Sequence, residues 1–334
     1  MLPVTISGPS LKRTRQRWLT VSAAAVLCAV GAVPAEARDK LTPNDWLDRM
    51  ASVVATVDFE GTVIRRKNGR AEALKVVHRV VDGVVKEKVI TQEGEGLEII
   101  RNGNEVHCIL PEKKSVLIEQ WNDQSTLFST LPSSEVRFGS AYDVSIVREE
   151  RVAGRSAMLL AIRPHDGFRF GHRLWLDRET AFPLRTELVD SSGRSIEQLK
   201  FADIRLDSVI PDQALQPSFN LDNFTWYTEP TRAEVLDVET DWVCDELPAG
   251  FRVVSTKTEQ LPGADTPVTH IVYGDGLATV SVFIADQHDS RIAERYSVGA
   301  SNSYSTVIDG SQITAVGEVP AVTVQRIARS MRRP

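Results

Sequence analysis

Beyond about residue 60 the chain alternates β-branched runs with turn residues, and that rhythm predicts strand after strand. Leu74–Val81, Val84–Ile90, Val144–Val147 and Met158–Ile162 are such runs, rich in side chains that suit a pleated, half-buried surface. Between the runs lie Lys67-Asn-Gly-Arg70, Val81-Asp-Gly-Val84, Arg101-Asn-Gly-Asn104 and Ser191-Ser-Gly-Arg194. Asn, Asp and Gly tolerate the positive φ of a tight hairpin, so neighbouring strands are expected to be antiparallel. Many short antiparallel strands in succession predict a large, strongly curled sheet or a barrel.

The period changes to that of a helix in a few places. Thr42 suits an N-cap, Pro43 the first helical position and Asp45 the positive helix end; Trp46, Leu47, Met50 and Val54 then share one face. Gln120–Ser140 is poor in turn residues, contains Phe128-Ser-Thr-Leu-Pro132 and is read as helical, a plug or a lid. Pro320 opens a terminal helix with Val324, Ile327 and Met331 on one side. Between these, prolines 211, 217 and 230 with Trp226-Tyr227 read as an interdomain connection, and strands resume near Phe251 with a turn at Gly274-Asp-Gly276. The chain therefore divides into a larger domain over 38–212, a linker over 213–234 and a smaller domain over 235–334.

The first 37 residues have a different character. Lys12, Arg13, Arg15 and Arg17 precede an apolar stretch from Trp18 to Val33, and Ala35-Glu36-Ala37 supplies a small-x-small cleavage pattern. That order is the order of an export signal, and the apolar stretch is shorter than the roughly 20 residues a membrane span needs. A cleaved signal over 1–37 and a location outside the cytoplasm are expected. Of 39 basic and 45 acidic residues, the signal removes four and one, leaving a net charge of −9. A chain this acidic has no long-range attraction for nucleic acid. Two cysteines remain, Cys108 and Cys244; an oxidising compartment permits a disulfide between them, and two buried thiols are the alternative.

No arrangement of reactive groups stands out. There is no Gly-x-Ser-x-Gly elbow, glycine-rich phosphate loop, His-Glu-x-x-His or Cys-x-x-Cys, so neither a catalytic residue nor a cofactor nor a metal is expected. His165, Asp166 and His172 come nearest, and they read better as a solvated loop and a packing residue. The segment Phe168–Asp177 is more telling as a surface. Side chains alternate across a strand, which puts Phe168, Phe170, His172, Leu174 and Leu176 on one face and Arg169, Arg173, Trp175 and Asp177 on the other. The apolar set, with Trp121, Leu127 and Phe128, would line a cavity for acyl chains with basic side chains at its mouth. The competing reading makes the same residues plain core, with Arg169 and Arg173 in water. Trp226 and Tyr227 are candidate contacts for a partner protein, since exposed aromatics anchor interfaces; the alternative is that they tack the linker onto a domain. Thr269–Phe283, with Tyr273 and Phe283, reads by its dense alternation as chiefly core, and an edge strand there is the third candidate, open to a partner segment by β-addition.

Three blocks carry a resemblance. Arg163-Pro-His-Asp-Gly-Phe-Arg-Phe-Gly-His-Arg-Leu-Trp-Leu-Asp177 is followed by Phe182-Pro-Leu184, Glu187-Leu-Val-Asp190, Gly193, Glu197-Gln198, Phe201 and Ile204. With Pro267–Ile284 and Val316–Ser330, they make the chain similar to the RseB/MucB family of periplasmic regulators of the sigma-E envelope-stress response. The resemblance implies an α+β, mostly β architecture: an N-terminal half-open antiparallel β-barrel with helices, like the Lol lipoprotein carriers, and a smaller α/β C-terminal domain. It also implies a role. The protein would bind the periplasmic segment of a membrane-spanning anti-sigma factor (RseA/MucA-like), shield it from regulated proteolysis, and be released by lipopolysaccharide or lipoprotein acyl chains. In that picture the first domain senses lipid, the second binds the anti-sigma factor, and a homo-oligomer is allowed. A periplasmic lipoprotein or lipid carrier is the alternative; a simple carrier has no evident need for residues 235–334.

Overall fold

The structure is a computed structural model, and it describes residues 41–120, 127, 128, 131, 141–228, 239–260, 266–286 and 294–334. The expected signal, Trp121 and most of the expected helix over Gln120–Ser140 lie outside these residues. Helix α1 (Pro43–Thr56) begins as its sequence dictates. Thr42 Oγ1 accepts from the Asp45 backbone N–H while the Asp45 carboxylate accepts from the Thr42 N–H, a reciprocal cap, with Pro43 in the first turn. The helix buries Trp46, Leu47 and Met50.

Eleven of the strands that follow form two meanders. The first runs through β1 (Phe59–Lys67), β2 (Arg70–Val81), β3 (Val84–Thr91), β4 (Glu98–Asn102), β5 (Glu105–Leu110) and β6 (Ser115–Gln120). The second runs through β7 (Tyr142–Val152), β8 (Arg155–Pro164), β9 (Gly171–Asp177), β10 (Pro183–Val189) and β11 (Ser195–Leu206). Asn68 and Gly69, and Asp82 and Gly83, all take positive φ in their hairpins, as the type I′ turn requires. The meanders are joined in the middle by antiparallel pairing of β1 with β11. A short strand, β12 (Thr225–Thr228), adds in parallel to β6. Among the described residues the sheet thus has twelve strands, with β12 at one edge and β7 at the other, and these two edge strands do not pair with each other, so the barrel is half open. α1 covers the inner face, where Leu160, Ile162, Leu174 and Leu176 meet Trp46, Leu47 and Met50. Phe59, Phe128, Phe182 and Phe201 fill the same face further along.

The seam between the meanders is tight. A Cβ on Gly61 would lie 2.4 Å from the backbone oxygen of Asp203, beside a bulge in the β1–β11 ladder. Backbone on a paired strand cannot move aside freely, so Gly61→Ala is expected to lower stability by about 1–3 kcal/mol. A shift in the urea midpoint at unchanged slope is the measure.

The proline-punctuated stretch expected as an interdomain connection is fastened to the outer face of the first sheet as far as Thr228. Arg79 donates to the Ile210 carbonyl at 2.7 Å and pairs with Asp212 at the start of a short 3₁₀ turn. Lys88 donates to the Gln216 carbonyl (2.6 Å) and Ser218 Oγ (2.8 Å), while Glu98 accepts from the Ser218 N–H (3.0 Å). Ile210 and Leu215 pack on Val77. β12 follows, and Trp226 stands edge-on to His107 at 5.6 Å.

A second sheet is built from β14 (Arg252–Glu259), β15 (Val268–Gly274), β16 (Thr279–Asp286), β17 (Glu294–Val298), β18 (Ser301–Ile308) and β19 (Ser311–Gly317), in the order 14-15-16-19-18-17. Helix α2 (Ala321–Arg329) packs Val324, Ile327 and Ala328 against it. Met331 is buried as expected, but past the helix end, in β20 (Met331–Arg332), which pairs with β13 (Val243–Cys244).

Candidate functional site

Several contacts bind the second sheet to the first, and a group of them is made by one arginine. β9 begins at Gly171, so Phe168, Arg169 and Phe170 belong to the preceding loop and escape the alternation expected of them. Arg169 does not face water; its side chain is fully buried. Nη1 lies 2.9 Å from Asp275 Oδ2, Nη2 lies 3.3 Å from Asp166 Oδ2 and donates to the Ala249 carbonyl at 2.6 Å. Its guanidinium sits over the rings of Tyr142 (5.3 Å) and Phe251 (5.0 Å). Tyr142 Oη donates to Asp275 Oδ2 at 2.8 Å; burial first, and then the Asp275 charge, push the Tyr142 hydroxyl far above its ordinary pKa. Thr323 Oγ1 donates to the Phe168 carbonyl (2.6 Å), and Arg326 lies over the Phe168 ring (5.2 Å). At a second contact Lys67 pairs with Glu318 (3.0 Å) and Glu197 (3.3 Å).

A cavity of about 450 Å³ lies between these two contacts. Leu127, Leu131, Phe170, His172, Leu188 and Leu199 contribute from the first domain, and Gly276, Leu277, Ala278 and Thr279, the turn between β15 and β16, from the second. Arg65, Arg66 and Lys67 share its lining with Glu187, Glu197 and Glu318, so its charges balance. This is within the roughly 300–1,000 Å³ of ligand pockets.

The expected cavity residues divide. Leu127 and Phe170 line it. Leu174 and Leu176 are fully buried against α1, and Phe128 is buried in the aromatic cluster; these three are core, as the competing reading had it. Phe168 faces Arg326 at the interdomain contact instead. Trp175 points away from Leu174, under the Arg185 guanidinium at 4.1 Å, with Nε1 donated to Glu150 at 2.7 Å. Among the partner candidates, Trp226 and Tyr227 are exposed, 46% and 56%. Phe283 is half-buried and stacks on His270 at 4.2 Å. Tyr273 is not a surface residue: it is 2% exposed in the second core, its hydroxyl on Met331 Sδ. Cys108 and Cys244 are free thiols rather than a disulfide; burial pushes Cys108 up to about 11. Leu277 and Asp275 were missed by sequence reasoning, because a Gly-Asp-Gly turn reads as solvent-exposed punctuation.

His172 stands in the cavity wall, and burial lowers its pKa from 6.5 to about 4, against a smaller upward pull from Asp275. The unfolded chain gains this proton near pH 6.5 and the folded chain only near 4. Between these values unfolding takes up a proton, so stability falls as pH drops through the window. His172→Gln removes the effect: at pH 5 it is expected to gain about 1–2 kcal/mol relative to its offset from wild type at pH 7.5. Urea titrations of both proteins at the two pH values read it out. Among the described residues no group of three or more His, Cys, Asp or Glu is placed to hold a metal ion, and no helix is long and apolar enough to cross a membrane.

Comparison with known proteins follows this division into two sheets. Residues 42–219 match the family model for the MucB/RseB N-terminal domain, and residues 237–332 match that for the MucB/RseB C-terminal domain. The chain is 32% identical over 320 residues to the sigma factor AlgU regulatory protein MucB of Pseudomonas aeruginosa, covering 94% of this chain and 97% of that one. It is 24% identical over 321 residues to the sigma-E factor regulatory protein RseB of Escherichia coli K12, covering 95% and 98%. A crystal structure of MucB in complex with MucA(peri) superposes with a TM-score of 0.68 at 30% identity, covering 87% of this chain and 99% of that one.

Proposed function

The chain belongs to the MucB/RseB family of sigma-factor regulatory proteins, and from that membership we propose that it is a periplasmic negative regulator of a sigma-E-type envelope-stress factor. It binds the periplasmic segment of a membrane-spanning anti-sigma factor and shields that segment from the protease that would begin its degradation. Lipid or lipopolysaccharide acyl chains release it. The regulators it resembles are binding proteins rather than enzymes, and regulation by occlusion needs no reactive group.

One observation carries the lipid side of this reading: the cavity wall is shared. A molecule lying between Leu127, Phe170 and Leu188 on one side and Leu277 and Ala278 on the other touches both domains. Its binding therefore depends on how the domains are held, and partner binding that depends on the same arrangement is linked to it. Such linkage is reciprocal: lipid weakens the anti-sigma segment by the factor by which the segment weakens lipid. Trp226 and Tyr227, exposed on β12 beside the connection to the second domain, are proposed contacts for the segment. The family match over the second domain favours a regulator over a plain lipid carrier, whose mark would be transfer of bound acyl chains to an acceptor.

The test is a calorimetric titration of residues 38–334 with the periplasmic segment of the anti-sigma factor from the same genome, with and without short-chain lipopolysaccharide. Tight binding that lipid weakens is expected. Independent binding of the two, or no binding of the segment, overturns the proposal.

A further inference from the structure

The turn that closes the cavity is tied to the first domain twice, through adjacent parts of one short segment. Leu277 is half-buried and packs against the first domain's core cluster, which contains Trp46, Met50 and Tyr142, and it lines the cavity at the same time. Two residues earlier, Asp275 holds the turn in shape and holds it in place. Oδ1 accepts the backbone N–H groups of Leu277 (2.9 Å) and Ala278 (2.8 Å). Oδ2 takes the Tyr142 hydroxyl at 2.8 Å and the Arg169 guanidinium at 2.9 Å. Leu277 therefore cannot leave its seat while the turn keeps its conformation unless Asp275 leaves Arg169 and Tyr142.

We propose that the Gly274–Thr279 turn is an internal occupant of the cavity: Leu277 holds the place that one acyl chain takes, and insertion of that chain lifts the turn and parts Asp275 from Arg169 and Tyr142. This rests on the lipid-released regulator reading and names how release begins. The ligand class follows from the walls. The apolar side chains accept an alkyl chain, and the site's volume suits one chain rather than several. Three cations and three carboxylates around it balance, so the walls select the alkyl chain and not the charge of the head group. The seated turn is the arrangement that ligand must displace, so wild-type affinity is lowered by the fraction of molecules whose turn is already lifted.

The probe is lauroyl lysophosphatidylcholine below its micelle concentration, titrated into residues 38–334. Leu277→Ala is expected to bind it roughly 5–20-fold more tightly than wild type, and Leu277→Met, which keeps the volume, within about twofold of wild type. A second readout does not depend on those variants. Spin labels at exposed Asp82→Cys and Asp309→Cys, one per domain, in a Cys108→Ser, Cys244→Ser background, should change their distance distribution when the probe is added. Equal affinity of Leu277→Ala and wild type, an unchanged label distance at saturation, or no binding of the probe overturns the proposal. Titrating the anti-sigma segment in parallel separates the two readings. Lipid-sensitive segment binding with an inert Leu277 leaves the regulator standing and removes the turn. Leu277 competition without segment binding does the reverse.

Discussion

Arg169→Met is expected to cost the folded chain about 3–5 kcal/mol, the range for removing one partner of a buried ion pair. The substitution keeps much of the side-chain volume, so lost packing is not the main cause. What remains is Asp275, its side chain 3% exposed, with Tyr142 and two backbone N–H groups but no counter-charge. The Ala249 carbonyl also loses its donor. Asp275→Asn in the same chain should return part of the loss, because a neutral amide oxygen can still accept from the turn. Since the residue joins two sheets with separate cores, denaturation should also change form. Wild type is expected to melt in one calorimetric transition and Arg169→Met in two, as coupling between the domains weakens. A single transition at an unchanged midpoint would remove Arg169 from its place as the main tie.

Phe182→Ala is expected to cost a comparable amount, about 3–5 kcal/mol, from the middle of the first core. Phe182 has no exposed surface and meets three other rings: Phe59 at 4.9 Å, Phe128 at 5.6 Å and Phe201 at 5.6 Å, all near edge-to-face. Truncation removes those contacts and leaves a hole whose lining is shared by α1, both meanders and the Phe128 segment. Phe182→Leu fills most of that hole and should cost clearly less. Urea titration followed by tryptophan fluorescence separates the two variants. Equal losses for both would mean that ring geometry, and not volume, governs the site.

The elements most legible in the sequence were those whose cause is local. The Thr42–Asp45 cap, the Asn68-Gly69 and Asp82-Gly83 turns and the apolar stripe of α2 each depend on residues within one turn of one another. The half-open sheet came from the family blocks, since strand runs alone do not say whether a sheet closes. The site was legible only in part. Leu127 and Phe170 do line a cavity, because a cavity wall is apolar wherever it lies. Phe168 and Arg169 were misplaced because alternation was extended three residues before β9 begins. Beyond Asp166, three residues away, no local signal marks an arginine whose nearer carboxylate partner is Asp275, on the second sheet. Leu174 and Leu176 show the limit of patterning, which reports that a face is covered but not whether a helix or a ligand covers it.

The seam between the two meanders has a kinetic consequence. β1 ends at Lys67, yet its partner β11 begins only at Ser195, so their ladder closes one of the longest loops in the fold. Pairing at such sequence separation comes late and slowly, because chain entropy is lost before contacts repay it. Until then the outer edge of β1 stands open beside a finished hairpin, ready to accept a strand from another molecule. Folding chains are therefore expected to pass through a stage in which aggregation competes with closure of the β1–β11 seam.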